Sequence, residues 1–145
     1  MSGYSFDSNI LIDALNGDPV AHSEIARVDR PWISRVTWIE VLSKERGGTL
    51  KQIEIFLGGF SVDELDARIA GHAAALRRER PRLKLADSVI LASAQVNHRI
   101  LVSRNIKDFP ANMPGIRVPH TKNNTRRHPQ QRNFRRNLSE TTSLL

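Results

Sequence analysis

Along the first 120 residues, brief apolar runs alternate with longer stretches in which apolar positions recur at helical spacing. Tyr4 to Phe6, Trp32 to Ser34, Phe60 to Val62, Ile100 to Ser103 and Ile116 to Val118 are the candidate strands. Helical patterns fill the gaps, and strands that alternate with helices can pair side by side only through crossovers, so an α/β domain with a mainly parallel sheet is expected. Leu65, Ile69, His72 and Leu76 recur at i, i+4, i+7 and i+11, one stripe of a helix that ends before Pro81. From Asp87 to Asn97 the chain reads Val89, Ile90, Leu91, Ala92, Ala94 and Val96, apolar nearly all round, as a central buried helix should. Gly47-Gly48 would stop a helix begun at Thr37, and Gly58-Gly59 would turn the chain into the third strand.

The pattern changes at Thr121. From there Asn, Gln, Arg, Thr and Ser dominate, with few apolar residues, so residues 121–145 are expected to form a largely disordered tail behind a single domain of residues 1–120. Charge follows the same division. The net charge is +7, but Lys122, Arg126, Arg127, Arg132, Arg135 and Arg136 against Glu140 place +5 of it in the tail. That leaves a mildly basic body, with 16 basic residues against 14 acidic ones. A polyanionic partner is compatible with this balance, and a solvated tail explains it equally well.

There is no cysteine, which excludes disulfides, thiolate zinc sites and cysteine nucleophiles. Any metal must take oxygen or imidazole ligands. The five histidines have no ligand-like spacing, and His72, on an apolar stripe, reads as a satisfied core or interface residue. No phosphate-cradling glycine motif and no His-Glu-x-x-His occurs. With neither a basic leader nor an 18-residue apolar run, a cytoplasmic protein without a membrane span is expected.

The acids carry the remaining chemistry. Asp7 follows the first strand and precedes Ser8, Asn9 and the apolar segment Ile10 to Leu15, where it is either a helix N-cap or a ligand. Glu40 closes Thr37-Trp-Ile-Glu40, the spacing of a capping box. Asp87 opens the most apolar helix as a cap or as a buried charge in need of a partner. Asn105 and Asp108 follow the fourth strand, where ordinary turn formers also occur. Their conjunction is more informative than any member, because Asp7, Glu40 and Asn105 all lie beyond the carboxyl ends of expected strands, where open α/β sheets place ligands. Converging carboxylates would take up protons unless a divalent cation neutralised them, and all-oxygen ligation suits Mg²⁺ or Mn²⁺.

These residues resemble a known family. Tyr4-Ser-Phe-Asp7-Ser-Asn9-Ile-Leu-Ile-Asp13 is similar to the opening motif of PIN domains, and Thr37-Trp-Ile-Glu40-Val-Leu42 to their second acidic motif. Lys84-Leu-Ala-Asp87-Ser-Val-Ile-Leu-Ala92 and Leu101-Val-Ser103-Arg104-Asn105-Ile-Lys107-Asp108-Phe109 resemble the third and fourth, in the order found in VapC-like toxins. The resemblance, over roughly residues 4–119, implies a three-layer α/β/α sandwich with about five strands and an endoribonuclease that uses Mg²⁺, with Mn²⁺ as a possible substitute. It implies Asp7, Glu40 and Asp87 as metal carboxylates, Asn105 where many relatives have a fourth acid, Asp108 as a nearby carboxylate, and Ser103 where relatives usually have Thr. It further implies single-stranded or loop RNA as substrate, 5′ phosphate and 3′ hydroxyl products, a VapB-like antitoxin and a homodimer. Arg104 and Lys107 flank the acids as candidate phosphate contacts, or as a solvated loop face. Two other readings use the same residues: a non-catalytic RNA- or protein-binding module in which the acids are caps, and a housekeeping nuclease without an antitoxin.

Overall fold

In the computed structural model, which describes residues 3–44 and 49–119, the expected alternation resolves into five short strands and six helices. In chain order they are β1 (Tyr4–Phe6), α1 (Ser8–Leu15), α2 (Pro19–Ala26), β2 (Pro31–Ser34), α3 (Arg35–Lys44), α4 (Leu50–Leu57), β3 (Ser61–Asp63), α5 (Ala67–Glu79), α6 (Leu85–Val96), β4 (Ile100–Val102) and β5 (Ile116–Arg117). All four strand pairings are parallel, in the order β3-β2-β1-β4-β5. The chain thus winds outward from β1 through β2 to β3, then returns through α5 and α6 to place β4 on the other side of β1. The reversal opens a crevice between the carboxyl ends of β1 and β4.

Side-chain alternation along the strands feeds two cores. Phe6, Ile33 and Val102 join Ile10, Leu11, Val41, Ile53 and Leu57 on one face, while Leu101 joins Leu83, Ile90, Leu91 and Phe109 on the other. The result is a three-layer α/β/α fold. Both cores reach the crevice: Phe6 directly precedes Asp7, and Phe109, fully buried, directly follows Asp108. Each such aromatic contributes about 1.5–3 kcal/mol by leaving water, so the neighbouring polar residues hang from firm anchors.

Strand boundaries agree with the hydrophobic pattern to within a residue or so, β3 starting at Ser61 because Phe60 turns into the core against Phe6 and Phe56. Three local expectations are corrected. Thr37 is not a cap: α3 begins at Arg35 straight out of β2, with the Ser34 hydroxyl accepting from the Val36 amide at 3.1 Å. Thr37 is then an inward-facing helical residue, fully buried, and its hydroxyl has no partner among the described residues. A capping box does occur, at Thr49 and Gln52 at the head of α4. Leu65 is not part of the α5 stripe; it stands half-exposed ahead of the Asp66 cap. Asp87 is not the cap of α6 either, since Lys84 holds that position and Asp87 lies within the first turn. His72 hydrogen-bonds Gln95 at 2.7 Å, the satisfied role expected of it. Gly47-Gly48 and the tail 121–145 lie outside the described residues. No described helix is long and apolar enough to cross a membrane.

Candidate functional site

Asp7 directly follows β1, and its amide donates to Val102 O at 2.9 Å, one residue beyond the β1–β4 ladder. Its side chain caps α1 by accepting from the Ser8 amide at 2.8 Å. The other oxygen accepts from the buried Ser103 hydroxyl, just past β4, at 2.7 Å. Cap and site residue are therefore the same carboxylate. Burial pushes its pKa up, the bonds from Ser103 and Ser8 oppose this, and the Glu40 charge adds to the rise.

Glu40, one turn into α3, reaches the same place. The Ser8 hydroxyl donates to Glu40 Oε1 at 3.0 Å and stands 3.4 Å from Asp7 Oδ1, while Lys44 contacts the other Glu40 oxygen at 3.2 Å. After β4, Asn105 and Asp108 close a reciprocal ring: Asn105 Nδ2 donates to Asp108 Oδ2 at 3.0 Å, and the Asp108 amide to Asn105 Oδ1 at 3.3 Å. The turn-former reading of this pair is thus correct, and the turn aims Asp108 at the site. Asp87 comes from the head of α6. Its pKa is pushed up to about 6, first by burial, then by the charges of Asp7, Asp108 and Glu40 in that order, with Lys84 opposing weakly.

These four acids line one cleft of about 490 Å³, together with Ser8, Asn9, Asn105, Lys44, Arg82, Lys84 and Lys107. Three carboxylates raising the pKa of a fourth is a donor set that favours a cation. No three such groups among the described residues already stand as a shared ligand shell. Asp7, Glu40, Asp87 and Asp108 are the residues that could hold a divalent cation.

Residues 4–111 match the family described as PIN domain. The chain belongs to the PIN domain family. Among solved structures it resembles a chain of a toxin–antitoxin complex from Klebsiella pneumoniae at 35% identity and a TM-score of 0.74, covering 81% of this chain and 98% of that one. The DNA-bound VapBC of Salmonella typhimurium (23% identity, TM-score 0.67, covering 81% and 97%) shares the fold. So does VapBC2 of Rickettsia felis bound to a promoter DNA fragment (23%, 0.63, covering 79% and 95%). A comparison with curated protein sequences returns no match.

In this PIN domain, Asp7, Glu40, Asp87, Asn105, Asp108 and Lys107 meet at the cleft as a group. Ser103 does not line it; buried beneath, it accepts from the Asn105 amide at 3.0 Å while donating to Asp7. Arg104 is turned aside, its guanidinium paired with Asp13 of α1 at 2.6 Å and its amide on Asn9 Oδ1 at 3.3 Å. Sequence reasoning missed Asn9, which spans Asp7, Ser103 and Arg104, although it stood inside the opening motif. It also missed the cations Lys44, Arg82 and Lys84. Lys44 was legible as i+4 from Glu40 on one helix; Arg82 and Lys84 sit in an irregular connector whose direction no periodicity reports.

Proposed function

We propose that the chain is the toxin of a VapBC-type toxin–antitoxin pair, a Mg²⁺-dependent endoribonuclease that cuts single-stranded or loop RNA. The observation that carries this reading is the convergence of Asp7, Glu40, Asp87 and Asp108, from four separate stretches of chain, on one cleft rimmed by Lys44, Arg82, Lys84 and Lys107. Membership of the PIN family and the 35% identity to a chain of a toxin–antitoxin complex support the assignment of class and partner.

The four carboxylates would hold Mg²⁺, or Mn²⁺ in its place. When bound, the ion supplies a polarised water for attack on phosphorus and offsets charge on the leaving 3′ oxygen. The chain's own residues do the rest. Ser103 and Ser8 donate to Asp7 and oppose the rise in pKa that its burial causes, and Asn105 fixes the rotamer of Asp108. Arg82, Lys84 and Lys107 offer positive charge to the phosphates on either side of the scissile bond, a part that Arg104 leaves to them by pairing with Asp13. Cleavage between them yields 5′ phosphate and 3′ hydroxyl ends. A VapB-like antitoxin would cover the cleft, and the toxin would work in the cytoplasm as a homodimer.

The test is end-mapped sequencing of RNA treated with purified chain, alone and with the product of the adjacent gene. Cleavage should require Mg²⁺, vanish in Asp7→Asn and Asp87→Asn, and stop when the adjacent product binds. RNA bound with or without the metal, yet left uncut even when Mg²⁺ is present, would replace this reading with a binding module. Cleavage indifferent to the neighbour would leave a nuclease without an antitoxin.

A further inference from the structure

We propose that Arg80, at the end of α5 and outside the cleft lining, is a positioning residue that sets Asp108 against the cationic lip of the site. Two irregular segments face each other there. One is the connector between α5 and α6, which presents Arg82 and Lys84; the other is the turn after β4, which presents Asn105, Lys107 and Asp108. Each is fixed from below by an apolar anchor, Leu83 and Phe109, which pack in the same cluster. Apolar contact is non-directional and leaves the orientation of the polar groups above it undetermined. Arg80 supplies the direction: its Nη2 donates to the Asp108 carbonyl at 2.5 Å, across 28 residues of sequence, and its own carbonyl accepts from the Leu83 amide at 2.9 Å. Arg77 braces the connector from the same helix, its Nε donating to Leu83 O at 3.1 Å.

Arg80 ties two segments that no strand or helix joins, its Nη2 on the Asp108 carbonyl and its own carbonyl under the Leu83 amide. What the placement secures is geometry. The Asp108 carbonyl is pinned from the connector side, while its carboxylate and amide are pinned by Asn105 from the turn side, which leaves the carboxylate one direction to face.

The inference rests on the metal-dependent reading of the cleft, and its test separates the two. Mn²⁺ binding to the full chain is followed by the electron paramagnetic resonance of the free ion, beside denaturant unfolding in EDTA. Arg80→Met keeps the buried stem and removes the donors; Arg80→Lys restores one donor. R80M should bind Mn²⁺ about tenfold more weakly, in line with the loss of groups that orient ligands, with the unfolding midpoint little changed. R80K should recover part of the loss. In an Asp108→Asn background R80M should weaken Mn²⁺ binding by less than about twofold, because the two residues act in series. Wild-type affinity in R80M, a full second loss in the D108N background, or a loss of stability that accounts for the weaker binding would each overturn the role of Arg80. Absence of Mn²⁺ binding by the wild-type chain would instead overturn the reading of the cleft, and this inference with it.

Discussion

Asp87→Asn should make the metal-free protein more stable while removing its activity. In the folded chain the Asp87 carboxyl is pushed from 3.8 up to about 6, by burial and by Asp7, Asp108 and Glu40. A carboxyl raised on folding means that the folded state holds more protons than the unfolded one between about pH 4 and pH 6. Stability therefore falls as pH climbs through that window, and the penalty is complete above it. At about 1.36 kcal/mol per pKa unit the shift corresponds to about 3 kcal/mol. Asp87 is only half-buried and its neighbours can relax, which reduces this to about 1–2 kcal/mol. Asn has nearly the same shape and never ionises, so D87N escapes the penalty at pH 7.5 and gains much less at pH 5. The assay is urea unfolding of both proteins in EDTA at those two pH values, with thermal melts expected to differ by roughly 4–8 °C at pH 7.5. Added Mg²⁺ should then raise the wild-type midpoint more than that of D87N, since a ligand stabilises in proportion to how well it binds the native state. If D87N is less stable than wild type at pH 7.5, or if the difference is the same at both pH values, the carboxylates are not in electrostatic conflict and the argument for a cation fails.

Two further outcomes test other parts of the structure. Glu24 of α2, buried and paired with Arg117 of β5 at 2.9 Å, has its carboxyl held below 4.5 by that guanidinium. The stability it contributes is present above the unfolded carboxylate range and lost as pH falls through its lowered folded value. Glu24→Gln should thus be destabilised at neutral pH and show a shallower loss of stability on acidification, measured by unfolding midpoints from pH 7 to 3; an unchanged acid limb would contradict the pairing. For the rim, combined Arg82→Ala, Lys84→Ala and Lys107→Ala changes in an inactive D7N background should weaken single-stranded RNA binding and flatten its salt dependence, by about 0.7 in log–log slope for each phosphate no longer neutralised. Equal slopes for the two proteins would remove these cations from the RNA path.

The acids of the cleft were legible in the sequence because the rules that place them are coarse. Short apolar strands alternating with helices favour a parallel sheet, which puts Asp7, Glu40, Asn105 and Asp108 along one edge; that Asp7 meets Asn105 and Asp108 follows from the observed order, in which β4 pairs with β1. The all-apolar run after Asp87 had to be central, which put that acid beside them. What the sequence concealed is decided by a fraction of a helical turn. Thr37-x-x-Glu40 has the letters of a capping box, but α3 docks so closely behind β2 that Thr37 is carried inside the helix and Glu40 is free to face Ser8. Thr49-x-x-Gln52, with the same spacing, does cap a helix. Arg104 could not be told from Lys107 by composition, since the pairing that turns it aside depends on Asp13 lying one turn beyond Asn9 on α1. Arg80 gave no local signal, because its partner is a backbone carbonyl on another segment.

The hydrogen bond between Ser103 and Asp7 joins residues 96 positions apart, and β4 must lie beside β1 before it can form. A chain still emerging from the ribosome thus carries Asp7 and its Ser8 partner almost from the start, but the Ser103 hydroxyl only once β4 has followed. The cleft of this PIN domain is therefore among the last parts of the domain to be put together during synthesis.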